Sequence, residues 1–177
     1  MATKKWTIDP SHSEIQFKVK HLMITNVTGS FNDFSGSLEG SNEDFTDATI
    51  LFEAKVDSID TGNEQRDGHL KSADFFNAAE FPVLTFESSS FEKKADSDYI
   101  LTGALSLHGV TKTVQLNVEF GGIVTDPYGQ IKVGFEINGK INRKDFGLTW
   151  GAVTEAGSVV VSEEVKLHFG VQLVQQA

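Results

Sequence analysis

The chain contains no cysteine and only three prolines, and its 15 basic residues are outnumbered by 25 acidic ones. Without cysteine there can be no disulfide framework and no zinc site built on thiolates. A formal charge of -10 repels phosphate backbones and anionic headgroups, so nucleic acid is not expected as a partner. No stretch approaches the roughly 20 apolar residues that a membrane helix needs. Nor does an apolar run follow Lys4 and Lys5 as it would in a secretory leader. Cytoplasmic residence is therefore expected, with the periplasm as the alternative if a leader has been removed.

Chemical signatures are missing as well. The five histidines, His12, His21, His69, His108 and His168, show no local ligand spacing and no H-E-x-x-H helix, and no metal is expected. There is no G-x-S-x-G nucleophile turn. Gly121-Gly122 sits between strand-like runs with no helix after it, so it is not a phosphate loop. No catalytic residue and no resident cofactor are expected.

What the chain has in abundance is period-two alternation. Ile15, Phe17, Val19 and His21 share one face, against Gln16, Lys18 and Lys20. Val27, Gly29 and Phe31 follow, then Ala48, Ile50, Phe52, Ala54 and Val56, with Leu51 out of pattern. Leu84 and Phe86 carry the fourth segment, between Val83 and Phe91. Tyr99 to Leu107 and Val110 to Phe120 are the fifth and sixth. Ile131 to Ile141 and Val165 to Leu173 are the last two. Long strands with one wet face and one apolar face are best accommodated by closure, which removes exposed edges. The expected fold is all-β: an eight-stranded antiparallel barrel forming one domain over residues 1–177. A two-sheet sandwich is the alternative.

Between the third and fourth segments the alternation breaks. Asn63 to Ala73 reads as a short helix with Asn63 as its N-cap and Leu70 as its inward contact, ended by the Ala78 to Pro82 stretch. Its run Arg66-Asp67-Gly68-His69-Leu70-Lys71-Ser72-Ala73-Asp74-Phe75-Phe76 is dense in charge and closes on paired aromatics. Arg66 and Lys71 either pair with Asp67 and Asp74 or face a polar headgroup. Leu107-His108-Gly109-Val110 implies a tight reversal. Trp6 and Trp150 are placed at opposite ends of the barrel.

Whether the interior is solid or hollow stays open at this level. Gly29, Ala48, Ala54, Gly103 and Gly139 fall on the same rows as Phe31, Phe52, Leu105 and Ile137. Small residues on a core-facing row leave volume only if their neighbours do not fill it. A cavity here would be walled by aliphatic residues and phenylalanine, of which there are 14, and so would suit a hydrocarbon tail.

Four stretches together resemble the YceI-like, polyisoprenoid-binding family. They are Trp6 to His21, Arg66 to Phe76 with Glu80-Phe81-Pro82, Leu105 to Lys112, and Arg143 to Leu148. The resemblance covers essentially the whole chain, in order. It implies an extended, lipocalin-like antiparallel barrel holding the long isoprenoid tail of a lipid, frequent homodimers, and stress-related, often periplasmic members. On that basis the expected function is non-covalent binding, transport or storage of a polyisoprenoid or isoprenoid quinone. Phe17, Val19, Phe31, Phe52, Phe86, Leu107, Phe135 and Phe169 would line the tail site. His21, Arg66, His69, Phe75 and Phe76 would form the headgroup end and its lid. Two alternatives stand beside this: an enzyme acting on such a lipid, with His69 or His108 as acid–base group, and a scaffold protein with a filled barrel.

Overall fold

The computed structural model describes residues 3–22, 24–148 and 161–176. Among them run eleven strands: β1 (Lys4–Ile8), β2 (Glu14–His21), β3 (Thr25–Phe31), β4 (Phe34–Gly40), β5 (Thr49–Lys55), β6 (Ile59–Asp60), β7 (Val83–Lys93), β8 (Asp98–Leu107), β9 (Val110–Thr125), β10 (Ile131–Asn142) and β11 (Glu164–Gln175). Among the described residues one α-helix, α1 (Glu64–Lys71), lies between β6 and β7.

In space the eleven strands make eight courses. β1 and β2 both pair antiparallel with β11, as Thr7 with Val174 and Lys18 with Lys166. They are one course broken by a 3-10 turn at Pro10–His12, where Asp9 accepts from the Ser11 amide at 3.0 Å. β3 and β4 form the next course against them, and β5 continues into β6 past a second 3-10 turn at Val56–Ser58. Every neighbouring pair is antiparallel, and pairing of β11 back onto β1 closes the ring. Closure excludes the sandwich. The sequence pattern under-reads the first courses because the interruptions reset the alternation, and β4 carries Ser35, Gly36, Ser37 and Gly40 where apolar residues would advertise a strand.

Alternation becomes burial as expected. Along β8, Tyr99, Leu101, Gly103, Leu105 and Leu107 are buried and the residues between them are not. Where the parity shifts, a bulge explains it. An extra residue at Ser89 lets Phe86 and Phe91 both face inward, and another at Gly121 does the same between β9 and β10; such bulges also add the curvature a closed sheet needs.

The two ends of the barrel differ. At one end Phe45, from the loop after β4, meets Trp6 at 5.6 Å, Phe120 at 5.9 Å and Phe135 at 5.6 Å between ring centroids. Phe91 stacks on Tyr99 at 4.7 Å, and the Tyr99 hydroxyl donates to the Asp44 carbonyl at 2.9 Å. This aromatic floor seals that end. Trp6 belongs to it as expected, while Trp150 lies outside the described residues. At the other end sit the β8–β9 hairpin, the insertion between β6 and β7, and the segment after β10. The hairpin turns on His108 and Gly109, both at positive φ (53° and 73°), which is the tight reversal the sequence predicts.

Candidate functional site

The barrel is hollow. A cavity of about 340 Å³ runs through it, within the usual range of ligand pockets. On β11 it reaches from Val165 to Leu173, a span of roughly 27 Å at about 3.4 Å per residue. Its wall is almost wholly apolar. Phe17, Val19, Phe31, Phe52, Phe86, Leu107, Phe135 and Phe169 all line it, each on the face that its strand's period assigns to the interior. The solid-core reading does not describe this interior.

The insertion covers the end opposite the floor. Asn63 caps α1, its side chain accepting from the Arg66 amide at 3.0 Å. The helix stops at Lys71, two residues earlier than expected, because Ser72 turns back and donates its hydroxyl to the His69 carbonyl. No residue of α1 is buried, so the aromatic pair beyond its C-terminus anchors the helix. Phe75 is buried, and Phe76 packs edge-on against Phe31 at 6.0 Å, which in turn meets Phe17 at 5.6 Å. Leu70, Phe75 and Phe76 reach the cavity from this lid.

Three polar side chains join them at the mouth: Thr61, Arg66 and His69. Their partners differ from the ion pairs anticipated for the run. Arg66 donates from Nε to the Thr61 hydroxyl at 2.7 Å and from a terminal nitrogen to the Thr61 carbonyl at 2.6 Å. Asp67 accepts from the Thr61 amide at 2.9 Å, and Asp74 sits 2.9 Å from His69 Nε2. The short-range geometry of a turn feeding a helix places Thr61 between Arg66 and Asp67, so both charges fasten the lid to the end of β6 rather than to each other. His21 ends β2, and its side chain lies outside the described residues.

Sequence reasoning left Arg143 out of the site, and the structure puts it on the cavity wall. It is only 3% exposed. Its guanidinium donates to the carbonyls of Leu148 at 2.6 Å, Ser162 at 2.9 Å and Val161 at 3.2 Å. Burial is the main influence on this group and draws its pKa down, with the nearby Glu163 carboxylate opposing; it remains a cation, as arginine does in proteins. The signal available in advance was its place at the head of the Arg143 to Leu148 stretch. His108, by contrast, is structural: its Nδ1 lies 3.2 Å from the Phe146 carbonyl and its ring 5.1 Å from Phe81. Among the described residues no group of three or more His, Cys, Asp or Glu could hold a metal ion, and no helix is long and apolar enough to cross a membrane.

A YceI-like domain profile matches residues 6–173. The chain belongs to the YceI-like family. A UPF0312 protein of Staphylococcus aureus is 36% identical to this YceI-like chain over 164 residues, covering 92% of it and 93% of the relative. The crystal structure of the Campylobacter jejuni YCEI protein superposes with a TM-score of 0.76 at 32% identity, over 89% and 90% of the two chains. A polyisoprenoid binding domain from Saccharophagus degradans shares the fold at a TM-score of 0.69 and 20% identity, over 97% and 98%. In the YceI-like barrel the four motif stretches fall as follows: Trp6 to His21 on the closing course, Arg66 to Phe76 in the lid, Leu105 to Lys112 at the tight hairpin, and Arg143 to Leu148 at the end of β10.

Proposed function

We propose that this protein binds a long-chain amphiphile of isoprenoid type in its lumen, as carrier or store, without covalent chemistry. One observation carries the proposal: a continuous apolar cavity closed by an aromatic floor at one end and covered at the other by a lid bearing Thr61, Arg66 and His69. An apolar tail gains roughly 0.8 kcal/mol for each buried CH₂. Ten such groups would contribute about 8 kcal/mol before ordering costs. The wall therefore supplies the main driving force, which grows with tail length, and the mouth is left to orient a head. The polyisoprenoid binding domain with the same barrel supports the choice of tail by likeness of fold.

The test is extraction of the purified protein with organic solvent and mass spectrometry of the released material, then reloading of the stripped protein. A released prenyl lipid, or saturable uptake of one by the stripped barrel, is the expected result. A barrel that yields no lipid and takes none up would remove this reading.

A further inference from the structure

An eight-stranded barrel either fills with its own side chains or keeps room for one small ligand, and its inward residues decide which. Here large residues stand on the inward rows of course after course, yet a cavity remains between them. The hollow therefore needs a cause. It lies in where four inward glycines fall.

At each of these glycines a neighbour's large side chain occupies the space a Cβ would take. A Cβ on Gly29 would sit in the ring tip of Phe17, with Cε1 at 2.8 Å, Cε2 at 2.9 Å and Cζ closer still. Gly29 and Phe17 are direct partners across β3 and β2, the geometry in which paired side chains interact most. A Cβ on Gly139 would meet Leu116 Cδ2, with Cγ at 3.6 Å. At Gly36 it would meet Ile8 Cδ1 at 2.8 Å, and at Gly103 it would meet Phe86 Cζ at 2.5 Å. Phe17, Leu116, Ile8 and Phe86 all line the cavity. Each leans sideways along the sheet into the place its neighbour leaves empty, instead of reaching across the lumen.

We propose that Gly29 and Gly139 set the width of the lumen by holding the Phe17 and Leu116 side chains against the wall, and so decide whether a methyl-branched tail is admitted. This rests on the lipid-binding function proposed for the lumen. An isoprenoid carries a methyl branch on every unit and needs a wider channel than a straight alkyl chain. Adding one methyl at either glycine evicts a side-chain tip, which has nowhere to go but inward. Gly29 and Gly139 are the informative positions because the tight contacts there are to side-chain tips alone, whereas at Gly36 the Leu51 carbonyl also comes within 3.2 Å. At Gly103 the Glu87 carbonyl is closer than the ring, so substitution there also disturbs the strand pairing.

The experiment compares uptake of geranylgeraniol with that of the straight-chain alcohol of equal main-chain length, by stripped wild-type protein and by Gly29→Ala and Gly139→Ala. A pocket misfit of one methyl is worth about tenfold or more in discrimination. The folded variants should lose about that factor for the branched alcohol and less than about threefold for the straight one. Gly29→Ala combined with Phe17→Leu should recover the branched alcohol. A crystal structure of Gly29→Ala should show the Phe17 ring swung into the lumen. Folded variants with wild-type selectivity, or a Phe17 ring still flat to the wall, overturn the proposal. If wild-type protein takes up neither alcohol, the binding function falls instead, and the Phe17 ring position still decides whether the glycine sets the width.

Discussion

Phe45 meets Trp6 edge-on, ring centroids 5.6 Å apart and planes at 67°. One comes from a loop between strands and the other from the first strand, and together they begin the floor of the barrel. Phe45 does this from a left-handed backbone conformation, φ 64°, which a bulky residue adopts only when its surroundings hold it there. The loop 41–48 has the means: the Asp47 carboxylate accepts from the Ser41 amide at 2.8 Å, the Ser41 hydroxyl at 2.6 Å and the Asn42 amide at 3.0 Å.

Removing the floor should deepen the lumen. Phe45→Ala is expected to cost about 3–5 kcal/mol, the usual range for deleting a buried phenylalanine, measured by denaturant unfolding. Tails too long for the wild type should then bind the variant. A variant that is destabilised but keeps the same limit of chain length would show that the floor does not set the depth.

The loop carries a pH signature. Hydrogen bonds from Ser41, above all its hydroxyl, lower the Asp47 pKa from 3.8 to about 2. A carboxylate with a depressed folded-state pKa adds stability that is full above the unfolded value and is lost as pH falls through the folded one. The melting temperature of Asp47→Asn should therefore trail wild type by a constant margin above about pH 4. That gap should narrow toward pH 2; a gap independent of pH between those values would contradict the assignment.

Arg143 ties the end of β10 to the segment that leads into β11. Arg143→Met would leave the Leu148, Val161 and Ser162 carbonyls without their donor, and each buried orphan costs about 1–3 kcal/mol. A loss of about 2–4 kcal/mol is expected by equilibrium unfolding, since some carbonyls will recover water. Arg143→Lys should rescue little, because an ammonium on a flexible stem does not reproduce the planar fork that reaches three carbonyls. Full rescue by lysine would mean that charge alone matters there.

Filling the lumen should separate binding from folding. Ile137 lines the cavity and is half-buried. Ile137→Trp adds bulk toward existing empty space, so its cost in stability should stay at the low end of the about 1–3 kcal/mol usual for small-to-large changes. Lipid uptake should fall at least about tenfold. Unchanged uptake by a folded Ile137→Trp protein would place the ligand elsewhere.

Much of this architecture is legible in the sequence because a β-strand writes its environment at every second residue. Alternation names the inner face of β8 or β11 residue by residue, and long strands whose apolar faces all need covering favour closure, which the pairing of β1 with β11 then decides against a sandwich. Asn63 announces its cap because a short polar side chain before a polar run satisfies the first free amides of a helix. β1, β4 and β6 are less legible, since 3-10 turns and serine- or glycine-rich stretches interrupt the period that would reveal them.

Relations between distant segments belong to the tertiary structure. That Phe45 reaches Trp6, and that Arg143 finds the Val161 and Ser162 carbonyls, depend on register and on loop paths, which no local period encodes. The hollow has the same origin. Alternation alone establishes that glycines and phenylalanines share the inner rows. It takes the pairing of Phe17 with Gly29, across two strands, to make a large ring spend its volume along the wall and leave the centre empty, because the direction a side chain leans depends on the room its cross-strand neighbour leaves.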